Sequence, residues 1–181
     1  GEAKLDGNYF RGGWLGGDHA MKFGVRYRDT PYETKRQVGG GATARFRIGV
    51  PSEAEISRDG YLSRALWSWS AYINDSYRRG RLTLNGGVRF DYQDDEALAP
   101  STEANPILPD LLPALDFQGA DSGASYKNWS PRFGVTYDLT GDARTVLKGN
   151  LARYYGVGIF TASTLSPTDR TWVRYPWNDL N

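Results

Sequence analysis

Apolar and polar residues alternate along four stretches of this chain, each about ten positions long. The clearest stretch covers residues 19–28. Its odd positions are apolar and its even positions mostly cationic, with Met21, Phe23, Val25 and Tyr27 set against Lys22, Arg26 and Arg28. Successive side chains of a strand point to opposite faces, so the pattern predicts a strand with one apolar and one cationic face. Its length exceeds the roughly five or six residues of an ordinary strand and fits the roughly 9–11 residues that cross an outer membrane.

The same reading predicts six long strands, at residues 3–14, 19–29, 64–78, 81–92, 129–139 and 144–155. Short turns join them in pairs near residues 15–18, 79–80 and 140–143, and long segments follow the pairs at about 30–63, 93–128 and 156–181. Short turns on one side and long loops on the other are usual in bacterial outer-membrane barrels. The predicted fold class is therefore all-β, an antiparallel up-and-down transmembrane β-barrel segment, with residues 1–181 as one partial barrel domain.

The long segments are predicted to be extracellular loops. Residues 93–128 contain Pro100, Pro106, Pro109 and Pro113, and proline cannot donate to a strand ladder. Residues 42–50 alternate again, which predicts an extra β-element above the membrane. The predicted strands are long enough to cross, since about 11 residues at roughly 3.3 Å each, tilted by about 40°, span roughly 28 Å against an apolar band of about 25 Å.

The alternation assigns side chains to two faces. The predicted lipid-facing set, including an aromatic girdle, is Met21, Phe23, Tyr27, Trp67, Trp69, Ile73, Tyr77, Phe90, Phe133 and Tyr137. The charged set predicted to face the lumen is Lys22, Arg26, Arg28, Arg89, Asp91, Arg132 and Asp138. These cations either attract anionic ligands or pair with carboxylates of the lumen or of a plug, as Asp91 and Asp138 suggest, and pairing is the favoured interpretation.

Composition is compatible with a barrel and argues against other classes. The net charge of +1 argues against a nucleic-acid partner. Mean hydropathy is −0.59, which fits a barrel because only every second residue meets lipid. The chain has no cysteine, and His19 is its one histidine, so thiolate metal sites and histidine-based catalytic triads are excluded within it. His19 itself is interpreted as an interfacial or turn residue.

Three hairpin motifs resemble the TonB-dependent outer-membrane receptors. They are GGDHAMKFGVRY at residues 16–27, YINDSY at 72–77 with RLTLNGGVRFD at 81–91, and SPRFGVTYDLTGD at 130–142 with TVLKG at 145–149. Within that superfamily the chain is most similar to Oar-like members, which carry a carboxypeptidase-regulatory-like domain. The resemblance implies part of a receptor whose barrel has about 22 strands and which takes up a scarce or large ligand with the TonB system.

The resemblance also implies what to expect outside these strands. No plug domain, TonB box or terminal aromatic strand is recognised, so the chain is expected to be a piece of a longer receptor. Its expected location is the outer membrane of a Gram-negative-type bacterium. The expected partners are outer-membrane lipid, the TonB system and an unknown extracellular ligand. No cofactor, bound metal or catalysis is expected.

Other interpretations of individual residues stay open. Asp91, Asp94, Asp95 and Glu96 could offer oxygen ligands to Ca²⁺, although they lack the spacing of a calcium loop, and a solvated loop is favoured. Asp75 falls on the apolar face, so it is placed at the periplasmic rim or on a bulge that reverses the register.

Two rival functions follow from other residues. A soluble or secreted carbohydrate-binding or adhesin module would use sugar platforms, at Trp14, Trp67, Trp69, Trp172 and Trp177. An enzyme ranks third, with Asp94 or Asp95 as the residues whose loss would abolish hydrolysis.

Overall fold

The computed structural model describes residues 1–156, 165–169 and 172–178. The remainder of the segment expected as a loop at 156–181 lies outside these residues. Apart from short 3-10 turns such as η1 (Gly39–Gly41), the regular structure of the described residues consists of antiparallel strands, which confirms the predicted all-β fold class. Within the described part of the chain no helix has the length and apolar character that crossing a membrane requires.

The chain divides into two compact units, each assembled from three segments. Unit 1 comprises Gly1–Thr30, Trp67–Asp94 and Ser125–Ile159, and unit 2 comprises Pro31–Leu66, Asp95–Ala124 and Phe160–Asn181. The strands are β1 (Glu2–Trp14), β2 (Gly17–Arg36), β3 (Ala42–Arg47), β4 (Val50–Ser57), β5 (Gly60–Arg79), β6 (Leu82–Ala97), β7 (Ser101–Thr102), β8 (Leu115–Asp116), β9 (Ala120–Asp121), β10 (Tyr126–Asp138), β11 (Val146–Ala152) and β12 (Trp172–Pro176). Three strands, β2, β5 and β6, continue along the chain from one unit into the other.

Unit 1 is a sheet in the order β1-β2-β5-β6-β10-β11. These are the six strands that the alternation predicts, but their limits differ. β2 continues to Arg36, β5 begins at Gly60 and β6 continues to Ala97, so the segments at 30–63 and 93–128 are not loops throughout. β11 is shorter than expected and covers only Val146–Ala152.

The turn between β1 and β2 is two residues long. Trp14 pairs with Gly17, and Leu15 and Gly16 between them have φ angles of 53° and 78°. Two successive positive φ angles match the right-handed twist of the strands in a two-residue hairpin. Glycine adopts such an angle at no steric cost, and Leu15 tolerates it at the exposed first position. A register shift between Arg11 and Trp14 separates this turn from the regular pairing of the rest of the hairpin.

The register of the paired strands defines the two faces of the unit 1 sheet. In the first hairpin Leu5 lies opposite Val25, and Tyr9 opposite Met21. In β6, β10 and β11 the same face carries Leu84 opposite Val135, and the apolar cross-strand pairs on it include Leu82 with Tyr137, Phe90 with Trp129, Phe133 with Leu151 and Tyr137 with Leu147. The other face carries Thr136 on β10, which lies opposite Thr83 on β6 and opposite Lys148 on β11. The register against β10 also shows which residues of β11 lie on each face, although the sequence of β11 alternates poorly.

The apolar face of unit 1 is not covered by protein. Phe23, Ile73 and Phe133 are 45%, 51% and 54% exposed. Across the described residues only Leu62 and Ala97 are buried apolar side chains. A water-soluble domain of this size buries a contiguous apolar centre, and an exposed apolar area of this extent marks a surface made for another apolar phase.

Unit 2 contains a sheet in the order β12-β4-β3, which replaces most of the loop expected at 30–63. The extra β-element predicted at residues 42–50 is the hairpin of β3 and β4, whose turn is Ile48–Gly49 with φ angles of 54° and 78°. Two further short pairings, of β7 with β8 and of β9 with the end of β6, lie in the segment expected as a proline-rich loop. The prolines of this segment lie outside these short strands and do not prevent the strands from forming.

Hydrogen bonds to the backbone, not apolar packing, hold unit 2 together. The Asn105 side chain is 1% exposed and donates to the carbonyls of Gly41 and Ser57 at 2.8 and 2.5 Å. Its carbonyl oxygen accepts the backbone N–H groups of Ile107 and Leu108. Because buried polar atoms are costly when unpaired, this saturated amide fixes three chain segments of unit 2 to one another.

We expect Ile73→Arg to destabilise the protein in lipid vesicles by about 2–4 kcal/mol, the cost of a cation near the midplane of a barrel's lipid face. The neighbouring Asn74→Arg, on the opposite face, should cost less than half as much because its guanidinium stays in water. Reversible guanidinium unfolding from vesicles measures both. Equal costs for the two variants would contradict the assignment of the faces.

We expect the docking of β12 on β4 to weaken in acid. Arg174 donates to Glu55 at 2.8 Å, and this bond is the main cause that lowers the pKa of Glu55 below its ordinary value. A lowered pKa gives stability that is present above a pH of about 4.5 and is lost as the pH falls through the folded-state pKa. Hydrogen exchange of the β12 amides, corrected for intrinsic rates, should show this loss. The control Glu55→Gln should show β12 protection that no longer depends on pH in this range.

Candidate functional site

The polar face of unit 1 is the candidate site, and its first feature is a carboxylate shared by two arginines. Glu2 on β1 lies opposite Arg28 and diagonally from Arg26 on β2. Arg26 donates two hydrogen bonds to one oxygen of Glu2, at 2.6 and 2.9 Å, and Arg28 donates two to the other, at 3.0 and 3.1 Å. Two of the four arginines of the predicted charged set therefore share one carboxylate.

Two further carboxylates on this face are matched in the same way. Lys4 pairs with Asp6 at 2.5 Å, and the Tyr72 hydroxyl donates to Asp6 at 2.8 Å. Arg89 donates to Asp91 at 2.7 Å and to the hydroxyl of Ser70 at 2.9 Å. Arg89 and Asp91 therefore pair as the favoured interpretation proposed.

Asp138 has a different role from the one predicted. Its carboxylate accepts the backbone N–H groups of Gly141 and Ala143 at 2.8 and 3.0 Å, so it closes the turn between β10 and β11. The expectation that Asp138 pairs with a cation of the lumen is wrong for the described residues, because a turn with free N–H groups follows this aspartate directly. The same turn contains Asp142, whose pKa is lowered chiefly by a hydrogen bond from Thr140.

A groove of about 600 Å³ crosses the same face, and the last two cations of the predicted set line it. Lys22 and Arg132 form no ion pair with any described residue. The Arg132 guanidinium lies 4.9 Å from the centre of the Tyr154 ring, a cation–π contact that restricts its position. The groove thus combines positive charge with a partly fixed donor.

An aromatic cluster lies on the apolar face at one end of the strands. Trp69 contacts Phe90 at 5.0 Å between ring centres, Phe90 contacts Trp129 at 4.7 Å, and Trp67 contacts Tyr92 at 5.1 Å. Amphipathic rings at both borders of the hydrocarbon are typical of transmembrane barrels. Trp67 is tilted by 37° against Tyr92, and Trp69 is tilted by 50° against Phe90 and stacked on Tyr92.

A second ring cluster lies near the short turns. His19 contacts the rings of Trp14 and Tyr77, with centres 4.7 and 4.8 Å apart, and the Arg11 guanidinium lies over Trp14. His19 Nδ1 also lies 2.6 Å from an oxygen of Asp75. The carboxylate that falls on the apolar face therefore has a hydrogen-bond partner there. The His19 side chain is 6% exposed, and its Nε2 and the second Asp75 oxygen have no hydrogen-bond partner within the described residues.

The acidic run offers no assembled metal site. Asp91 is bound by Arg89, and the hydroxyl of Tyr92 donates to Asp94 at 3.0 Å. Asp95, in unit 2, is 3% exposed. No three histidine, aspartate or glutamate residues of the described ranges come close enough together to hold a metal ion.

The sequence analysis missed the partners of the charged set. Glu2 and Asp6 lie on β1, whose alternation is too poor to show which face each residue takes. Only the register against β2, with Glu2 opposite Arg28, places them on the polar face. The two-residue turn at Leu15–Gly16 does not reveal this register in advance, because the pairing shifts by one residue between Arg11 and Trp14.

These observations define the class of protein. Strands of this length with one uncovered apolar face, a charged opposite face and aromatic rings at both ends are what a transmembrane β-barrel requires. A model of the family described as the outer membrane beta barrel domain matches residues 13–172. The chain therefore belongs to this family, and it is an outer-membrane protein of a Gram-negative-type bacterium. No curated protein and no solved structure matches it.

We expect His19→Leu to destabilise the protein by roughly 2 kcal/mol, because it leaves the Asp75 carboxylate unpaired on an apolar face. The double variant His19→Leu with Asp75→Leu should recover most of that loss, since replacing both members of a buried pair by apolar residues is often neutral. Reversible unfolding from vesicles measures the cycle. Additive losses in the double variant would mean that the two side chains do not act as a pair.

Proposed function

We propose that the chain forms part of the barrel of a TonB-dependent outer-membrane receptor of the Oar-like group. The receptor takes up a ligand that is too large or too scarce to enter by diffusion, and the TonB system supplies the energy. The three hairpin motifs at residues 16–27, 72–91 and 130–149 support this proposal, together with membership of the outer membrane beta barrel domain family.

The open sheet of unit 1 is the observation that carries the proposal. Among the described residues β1 and β11 each have one neighbouring strand, so six strands end in two unpaired edges. Unpaired backbone groups cannot face hydrocarbon, and the smallest bacterial barrels need eight strands. In a larger barrel, further strands would pair with the backbone groups of both edges. Receptor barrels of about 22 strands are large enough to provide them.

The two units suit different steps of uptake. Unit 1 carries the membrane strands and the polar groove, so it provides the wall of the passage. Unit 2 contains hydrogen-bonded hairpins in the segments predicted to be extracellular, and rigid loops of that kind favour capture of an extracellular ligand. No catalytic step is part of the proposal, and neither a cofactor nor a metal takes part in it.

Binding to TonB is the direct test of the receptor function. The full-length outer-membrane protein, purified in detergent, is titrated with the periplasmic domain of TonB from the same bacterium. We expect saturable binding that a deletion of the TonB-contacting segment abolishes. A protein that is folded and heat-modifiable on gels but shows no binding to TonB would overturn the receptor function and leave the barrel unaffected.

A further inference from the structure

The groove on the polar face of unit 1 is lined by two cations and one carboxylate. Lys22 and Arg132 line it, and so do three asparagines from three different strands, namely Asn74, Asn85 and Asn150. Asp75 is the one acidic residue of its lining, and its carboxylate is bonded to His19, a residue whose strand position is on the apolar face. The groove therefore presents positive charge that its own wall does not neutralise.

Four other cations of the polar face have a carboxylate partner among the described residues, unlike Lys22 and Arg132. Glu2 pairs with Arg26 and Arg28, Asp6 pairs with Lys4, and Asp91 pairs with Arg89. No described carboxylate lies within ion-pair distance of Lys22 or Arg132. A groove with an excess of positive charge attracts anions.

The three asparagines add uncharged donors and acceptors beside the cations. Their side-chain amides form no hydrogen bond with a described residue. Asn74 lies directly over Gly87, where a Cβ atom would collide with its amide oxygen. Each amide offers two donors and one acceptor, a set that suits hydroxyl groups of a ligand as well as carboxylate or phosphate oxygens.

The floor of the groove includes Gly134 on β10. A Cβ atom there would meet its nearest neighbours, Asn85 and Gly149, at 3.8 Å, which is ordinary contact. A large side chain at this position can therefore fill the groove without displacing the backbone. This position allows the groove to be blocked while both cations are kept.

We infer that this groove binds a hydroxyl-rich ligand that carries carboxylate or phosphate groups. Arg132, held against Tyr154, offers a planar fork for one anionic group, Lys22 provides a second charge, and the amides orient the hydroxyls. The inference deepens the proposed function, on which it rests for the transport step, because it names the chemical class of what passes the lumen. Binding itself requires only the polar face.

Equilibrium titration of the intact protein in detergent tests the groove with three probes. Trigalacturonate carries carboxylates, fructose 1,6-bisphosphate carries phosphates, and methyl-esterified trigalacturonate is the neutral match of the first. At least one anionic probe should bind tenfold or more tightly than the neutral match, and its affinity should fall as salt is raised. The stronger of the two anionic probes distinguishes a sugar acid from a sugar phosphate.

Three variants locate the binding. Lys22→Gln and Arg132→Gln should each weaken the anionic probe by about tenfold, the usual worth of one charge-assisted hydrogen bond, and Gly134→Trp should abolish binding. The matched control Arg28→Gln removes the same charge on the same face outside the groove and should change affinity less than twofold. Equal affinity for the neutral and anionic probes, or equal losses in Arg28→Gln and Arg132→Gln, would overturn the inference.

The result is separable from the receptor proposal. Anion binding without any binding to TonB would support the groove as a binding site and would contradict energised transport. Binding to TonB without preference for the anionic probes would contradict the groove as an anion site and would support the receptor function.

Discussion

The pairing of backbone groups between neighbouring strands is the constraint on which this structure depends. In hydrocarbon an unpaired N–H or C=O costs several kcal/mol, so each strand of unit 1 needs a partner along its membrane-facing length. Once the ladder from β1 to β11 is formed, the alternation of side chains follows without further choice. The apolar residues therefore lie on an open face and not in a protein core, and Leu62 and Ala97 are the only buried apolar side chains of the described residues.

The same constraint explains where polar groups cluster. On the polar face of unit 1, carboxylates such as Glu2 and Asp91 meet arginines across or along the strands, and the glycine at Gly24 leaves room for the Asp6 and Tyr72 side chains. On the apolar face the carboxylate of Asp75 is paired with His19 inside a ring cluster. Among its described residues, unit 2 has few buried apolar side chains, and buried polar groups such as Asn105 and Thr168 form hydrogen bonds to its backbone.

Local pattern was enough to predict the six strands of unit 1 and their antiparallel class. Met21, Phe23, Val25 and Tyr27 alternate so regularly that strand, face and membrane length follow from β2 alone. The features that the sequence did not predict depend on pairing between residues far apart along the chain. β12 lies against β4 across more than a hundred residues, with Arg174 opposite Glu55, and no local signal shows that contact. The hydrogen bonds of Asp138 to the backbone of the following turn were not predicted either, because the strand pattern does not describe that turn.

Site residues were predicted unevenly for a related reason. Parity along a strand tells which residues share a face, so Lys22, Arg26, Arg28, Arg89 and Arg132 are recognisable as one set. Parity does not tell which of them meet a carboxylate, because that depends on the register of a neighbouring strand. The register separates Arg26 and Arg28, which share Glu2, from Lys22 and Arg132, which have no ion-pair partner in the described residues and line the groove.

Spin-label accessibility along β2 tests the central claim most directly. Since the chain has no cysteine, single cysteines at residues 20–27 carry one nitroxide each, and the protein is reconstituted in lipid vesicles. The account predicts that oxygen, which concentrates in lipid, relaxes the labels at 21, 23, 25 and 27, while a water-soluble nickel chelate relaxes those at 20, 22, 24 and 26. A profile without this period of two, or odd positions shielded from both reagents, would contradict it.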